Sequence, residues 1–164
     1  HLVVLQTLTQ YHRMDYLFDV DGTLLDITHR LKFLREKPKS WKKFRDPKQK
    51  RWDEPIRPVI EIMKALRLAG HTSIIVSARI KDEEEVTRDT LREWVPDIDD
   101  IPMYLRSDKD YRKDAVVKAM LLDKIRNDGY NPVMVFDDRP QVINMWHETG
   151  LKVADVRDPS KGDF

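Results

Sequence analysis

The chain contains no cysteine. That excludes disulfides, thiolate metal sites and a cysteine nucleophile, and it suits a reducing cytoplasm. No apolar run approaches the roughly 18 residues a membrane span needs, so no membrane partner is expected. Charge of one sign is also missing in excess. Charged residues make up 36% of the 164, yet the formal net charge is +1, so only the local distribution of charge can inform on partners. Neither an internal repeat nor a low-complexity linker is present. His1 to Arg13 lacks a basic start and a small-residue cleavage site, so it does not read as a signal peptide. Met14 stands directly before the first convincing strand. Residues 1–13 therefore read as a vector-derived segment, or as a linker or extra strand, ahead of a single domain over 14–164. A chain of this length buries a core without a structural metal.

What is present is an alternation of short apolar runs with helical patterns. Asp15 to Val20, Ile74-Ile75-Val76, Met103-Tyr104-Leu105, Val133 to Phe136 and Leu151 to Val156 read as strands. Their near-continuous apolarity suits a parallel sheet covered on both faces. Between them, Val59, Ile62, Met63, Leu66 and Ala69 fall at helical spacing before Gly70. Residues 82–95 form a second helical stretch with acids in its first turn. Val116, Val117, Met120, Leu121 and Ile125 mark a third, ending near Gly129, and Val142, Ile143 and Trp146 a fourth, ending at Gly150. The expected fold is α/β, a doubly wound, Rossmann-like parallel sheet of about five strands, with its active site at the carboxyl ends of the strands. Residues 26–57 interrupt the alternation. Lys32 to Arg51 carries ten Lys or Arg against Glu36 and Asp46, with Trp41, Phe44 and Trp52 interleaved. This reads as a small basic insertion after the first strand, lying over the active-site end.

Four motifs sit at four strand ends. Asp19-Val20-Asp21-Gly22-Thr23 places two carboxylates at i and i+2, on one side of the chain, before a glycine that permits a sharp turn. Two anions so close need a cation or a shared proton, and a hard divalent cation with oxygen ligands is the natural solution. One carboxylate can attack phosphorus and the other can protonate the leaving oxygen. Ser77-Ala78-Arg79 offers a hydroxyl, backbone amides and a forked donor for phosphate oxygens at a strand-to-helix junction. Alone it also reads as a helix cap. Arg112-Lys113-Asp114 is followed by Lys118 on the same helix face as Asp114. Lys118 would neutralise phosphate and Asp19, with Asp114 orienting it; the plain alternative is a surface ion pair. Asp137-Asp138-Arg139 supplies two acids at another strand end, at least one of them suited to complete a metal shell with Asp19. His29 reads as a surface or hinge residue, and little supports Arg106 at the mouth.

In this order and at these positions, the motifs resemble those of the haloacid dehalogenase superfamily of aspartate-nucleophile phosphatases, over about Asp15 to Phe164. More narrowly, the chain resembles the 3′-phosphatase domain of phage polynucleotide kinase–phosphatases. Arg30 matches a substrate-binding arginine of that family, Arg112-Lys113-Asp114 with Val116-Val117-Lys118 its third motif, and Asp137-Asp138-Arg139 with Val142 and Met145-Trp146 its fourth. Trp94-Val95 and Gly162-Asp163-Phe164 also fit. The resemblance implies Mg²⁺-dependent removal of 3′-phosphate from nucleic-acid or 3′-nucleotide ends and leaves 2′,3′-cyclic phosphate open. It implies Asp19 as nucleophile, Asp21 as general acid–base and, through its backbone carbonyl, a magnesium ligand, with Asp137 or Asp138 binding the metal directly or through water. Thr23, Arg30, Ser77, Ala78, Arg79, Asp114 and Arg139 would then hold phosphate or substrate. Two features depart from the family. No Gly-x-x-x-x-Gly-Lys-[Ser/Thr] loop is present, so the sequence holds no kinase half, as expected of an excised domain or of a stand-alone phosphatase starting at Met14. The insertion is also longer and more basic.

Three readings of the substrate follow. The basic, aromatic-bearing insertion suits a nucleic-acid or nucleotide 3′ end. It could instead be a lid over free nucleotides or other small phosphoesters. A non-catalytic nucleic-acid-binding module is the third, and it is disfavoured because nucleophile, acid, lysine and metal acids are all present.

Overall fold

The computed structural model describes residues 13–161. Except for Arg13, the segment expected to precede the domain lies outside them, as does Gly162-Asp163-Phe164. A five-stranded parallel sheet forms the centre. Its strands are β1 (Asp15–Phe18), β4 (Thr72–Ile80), β5 (Met103–Arg106), β6 (Pro132–Asp137) and β7 (Lys152–Asp155), in the order β5-β4-β1-β6-β7. β1 is central because its residues can be buried on both faces. Leu17 faces one core with Ile74, Val76, Val117 and Trp146. Its neighbour Phe18 faces the other core with Ile75, Met63 and Leu91, and stacks on Phe136 at 4.6 Å.

Helices α4 (Arg57–Leu68) and α5 (Glu84–Arg92) supply residues to the Phe18 core, and α6 (Asp114–Asn127) and α7 (Pro140–Glu148) to the Leu17 core. The strands and helices fall where the apolar pattern puts them, but two helix faces are rotated from the expected ones. On α4, Ile60 is buried and Ile62 is 42% exposed. On α6, Leu122 is buried while Val116 and Met120 look outward. The stretch 82–95 is broken as well: Lys81–Glu83 is a short 3₁₀ turn, and α5 ends at Arg92. No helix among the described residues is long and apolar enough to cross a membrane.

The chain between the first strand and α4 is framed by a small antiparallel ribbon, β2 (Leu25–Asp26) against β3 (Glu54–Pro55). Three short helices lie between its strands: α1 (Thr28–Arg35), α2 (Trp41–Arg45) and α3 (Pro47–Lys50). The ribbon is a paired stem that the sequence pattern did not reveal. It brings the two ends of the insertion side by side.

Candidate active site

Asp19 follows β1, and its amide donates to the Phe136 carbonyl at 3.0 Å, which continues the strand pairing by one residue. Its carboxylate is buried at the carboxyl end of the sheet. Lys118, from α6, donates to Asp19 Oδ1 at 2.7 Å and to Asp137 Oδ2 at 2.8 Å. Asp137 is fully enclosed. Its Oδ2 also accepts from Trp146 Nε1 at 3.0 Å, and its Oδ1 accepts from the amides of Asp138 and Arg139. Burial and the nearby Asp137 push the Asp19 carboxyl well above the usual range, against the pull of Lys118. Asp138 is pushed up to about 6 by burial and by Asp137. Burial alone would depress the Lys118 ammonium, but Asp137 and Asp19 hold it well above its ordinary value.

The donor set fits a divalent cation. Carboxylate oxygens of Asp19, Asp137 and Asp138 all lie within 4.8 Å of one another. Lys118 balances one of these three negative charges. Two remain in a buried place, and hard oxygen ligands with a double excess charge suit Mg²⁺ or a similar ion. Gly22 makes the geometry possible. Its φ is +80°, and a Cβ there would sit 2.0 Å from Asp138 Oδ2.

Asp21 belongs to a second buried ion network. Arg79 donates to Asp21 Oδ1 from Nε at 3.0 Å and from a terminal nitrogen at 2.5 Å, and Arg30 approaches the same oxygen at 3.4 Å. Both arginines converge on Asp53, whose side chain is wholly buried. Arg30 grips it through two bonds of 2.7 and 2.9 Å, Arg79 through one of 2.7 Å, and His29 Nε2 lies 2.8 Å away. Burial opposes ionisation of Asp21, but Arg79 and Arg30 outweigh it and hold the carboxyl well below the carboxylate range. Lys50 pairs with Glu83 at 2.8 Å beside this network.

The geometry gives several of the expected residues partners that the sequence did not indicate. Ser77, Ala78 and Arg79 lie on β4, which runs to Ile80 with an irregularity in its pairing to β5, not at a strand-to-helix junction. The Arg79 guanidinium is turned to Asp21, Asp53 and Thr87 Oγ1 rather than presented openly to phosphate. Arg30 is completely buried and acts on Asp53 and the Phe44 carbonyl. Thr23 is also fully buried and donates to Asp19 Oδ2 at 3.4 Å. Asp114 does not touch Lys118: its carboxylate accepts from Arg106 and from Arg139. His29 is not at the surface alone but on Asp53.

Sequence reasoning missed Asp53, Lys50, Glu83 and the part played by Arg106. The first two lie in or beside the charge run, where a buried ion looks like any other surface charge. Arg106 donates to the carbonyls of Ala78, Asp110 and Arg112 as well as to Asp114, tying β4, the loop after β5 and the start of α6 together.

Burial and the adjacent Arg79 lower Lys50 to about 8. Between that value and the ordinary 10.5, the unfolded chain binds the proton and the folded one does not, so stability rises with pH across that window. Urea unfolding at pH 7.5 to 9.5 should show this rise, and Lys50→Met should flatten it. An unchanged slope in the variant would refute the assignment.

Asp19, Asp21, Ser77, Arg79, Lys118 and Asp138 line one cavity of about 360 Å³, whose far wall is α2 of the insertion. A buried carboxylate with a lysine on one oxygen, a metal-suited cluster behind it and an open cavity before it is equipped for attack on an electrophilic phosphorus.

Known proteins resemble this chain in sequence and in fold. The model of the polynucleotide kinase PNKP phosphatase domain family matches residues 14–164. A protein of Autographa californica nuclear polyhedrosis virus, named as a bifunctional polynucleotide kinase/RNA ligase, is 35% identical over 106 residues, which is 63% of this chain and 15% of that protein. A chain from the structure of the Pnkp1/Rnl/Hen1 RNA repair complex superposes with a TM-score of 0.73 at 28% identity, covering 93% of this chain and 44% of that one. The class C acid phosphatase from Bacillus anthracis shares the fold with a TM-score of 0.63 at 14% identity, over 95% of this chain and 74% of that one. The chain thus spans less than half the length of the first two relatives.

Proposed function

Since the chain belongs to the polynucleotide kinase PNKP phosphatase domain family, within the haloacid dehalogenase superfamily of phosphatases, we propose that it removes 3′-phosphate from nucleic-acid or nucleotide ends, with magnesium and through an aspartyl-phosphate. The observation that carries the reading is Asp19, held by Lys118 at 2.7 Å beside the Asp137 and Asp138 carboxylates and open to a cavity.

Asp19 attacks phosphorus in line, forming the Asp19–phosphorus bond as the bond to the ribose oxygen breaks. Asp21 delivers a proton to that departing oxygen. Its carboxyl is ionised while the arginines dominate, but a dianionic phosphate alongside opposes them and raises its proton affinity. Asp21 then takes a proton from water, and the water opens the aspartyl-phosphate. Lys118, Ser77 and the amides around it balance charge on the phosphoryl oxygens. Asp19, Asp138, Asp137 and the Asp21 carbonyl would hold Mg²⁺, which supplies positive charge against the phosphoryl oxygens.

Gly22→Ala is expected to weaken Mg²⁺ binding by roughly tenfold or more, because the new methyl group collides with Asp138. Calorimetric titration of Mg²⁺ checks it; unchanged affinity would remove Asp138 from the metal site. The substrate assignment is checked by comparing phosphate release from a 3′-phosphorylated oligonucleotide, a 5′-phosphorylated one and free nucleotides at matched concentrations. Preference for the 3′ end supports it, and equal rates on the 5′ end defeat it. The acids Asp108 and Asp110 on the cavity wall favour a second reading, small phosphoesters rather than a long backbone, which a dominant rate on free nucleotides would establish.

A further inference from the structure

We infer that the outer face of the insertion is an exosite for the phosphate backbone of a nucleic acid, which it engages outside the catalytic cavity and away from the end being dephosphorylated; this rests on the 3′-phosphatase reading in its polynucleotide form.

Ten Lys or Arg lie from Lys32 to Arg51. Lys50 is buried and paired with Glu83. The others are exposed, and among the described residues none of them is in an ion pair. The acids of the span do not answer them. Asp46 accepts from the Lys48 amide at the start of α3, which leaves Glu36. Elsewhere on the domain, arginines that reach the surface are matched: Arg92 by Asp99, Arg112 by Asp110 and Arg157 by Asp155. A surface of one sign repels itself, and an external polyanion relieves that repulsion.

The short helix α2 divides this charge between two sides. Trp41, Phe44 and Arg45, at i, i+3 and i+4, line the cavity. Lys42 and Lys43 are exposed and do not line it, so they belong to the outer side. Cations of α1 and α2 meet there: Lys32 and Lys43 lie 5.1 and 5.8 Å from the centre of the buried Phe33 ring. Trp52 follows Arg51, is 74% exposed and also stands outside the cavity, where its uncovered ring can stack on a base. Arg45 is both exposed and part of the cavity lining, so it joins the outer face to the catalytic cavity. On the loop after β5, Asp108 lines the same cavity and accepts from the Asp82 amide at 3.2 Å, which makes that side acidic. A strand leaving the cavity is therefore drawn over the insertion. A phosphodiester chain is the partner that fits: it repeats its charge at every nucleotide and needs cations spread along its path rather than a shaped pocket.

The experiment uses the full chain with Mg²⁺ and measures kcat and KM over a range of salt. One variant carries Lys42→Gln with Lys43→Gln. A control carries Lys124→Gln with Lys152→Gln, which removes the same charge from exposed positions on α6 and β7. The substrates are a long 3′-phosphorylated single-stranded oligonucleotide and a nucleoside 3′-monophosphate. For the oligonucleotide, the insertion variant should raise KM by roughly three- to tenfold at low salt, with kcat changed less than about twofold, and should lower the slope of log KM against log salt by about 1.4, from ~0.7 for each lost phosphate contact. The control should leave the oligonucleotide KM unchanged, and neither variant should move KM for the monophosphate. An equal shift in the control would show bulk charge at work and overturn the exosite. An equal shift on the monophosphate would place the lysines at the cavity and overturn it, and no shift on either substrate would do the same. Loss of binding to phosphatidylserine vesicles with an unchanged oligonucleotide KM would assign the face to a membrane, against the proposal. A wild-type enzyme that hydrolyses the monophosphate but not the oligonucleotide would defeat the polynucleotide reading itself, an outcome separate from failure of the exosite.

Discussion

Asp19→Asn should lower phosphate release by on the order of 10⁴-fold or more while the protein stays folded. The amide has no charged oxygen to attack phosphorus, and the neighbouring carboxylates are otherwise engaged: Asp137 accepts from Lys118 and Trp146, and Asp21 is gripped by arginine. The fold should tolerate the change because Lys118 keeps Asp137 as its partner at 2.8 Å. Removing one of three crowded carboxylates also relieves repulsion in the metal-free protein, since burial and its neighbours already push the Asp19 carboxyl up. Thermal unfolding of the metal-free variant should therefore be unchanged or shifted upward, and its Mg²⁺ affinity should fall. Activity within tenfold of wild type would overturn Asp19 as the nucleophile.

The second large effect is on stability. Asp53→Ala should destabilise the protein by about 3–5 kcal/mol, the usual cost of breaking a buried ion pair from one side. Arg30 and Arg79 would lose their common carboxylate while remaining enclosed, with side chains 0% and 1% exposed. Urea unfolding measures the loss, and a change below about 1 kcal/mol would show that the network is dispensable. Asp53→Asn keeps the shape but lets both arginines act on Asp21 alone. Its carboxyl should then be harder to protonate, and the alkaline limb of the kcat profile, where a proton-donating Asp21 is lost, should move to lower pH.

The residues of the candidate site are more legible in the sequence than the parts that hold them. Asp19, Asp137 and Asp138 lie at the ends of short apolar runs, and a parallel sheet brings such ends together whatever the details, while Lys118 reaches them from the first turns of α6. Asp53 was invisible because its importance comes from being buried among cations that are distant in the chain, and a charge run gives no sign of which members turn inward. Asp114 and Lys118 share a helix face, which predicted contact, but Arg106 and Arg139 claim Asp114 first. The rotated face of α4 has a simpler cause. Val59-Ile60 and Ile62-Met63 are adjacent apolar pairs, so the spacing alone does not choose between Ile60 and Ile62 for the core.

The β2–β3 stem has a consequence for how such an enzyme diversifies. Arg30 and Asp53, the two ends of the ion network, lie close to the paired strands, as does Lys50. Trp41, Phe44 and Arg45 lie in the span between them. The middle of the insertion therefore behaves as an exchangeable cassette on a fixed mount. Sequence change there can alter which molecule is admitted, while the groups that break the ester bond are inherited intact.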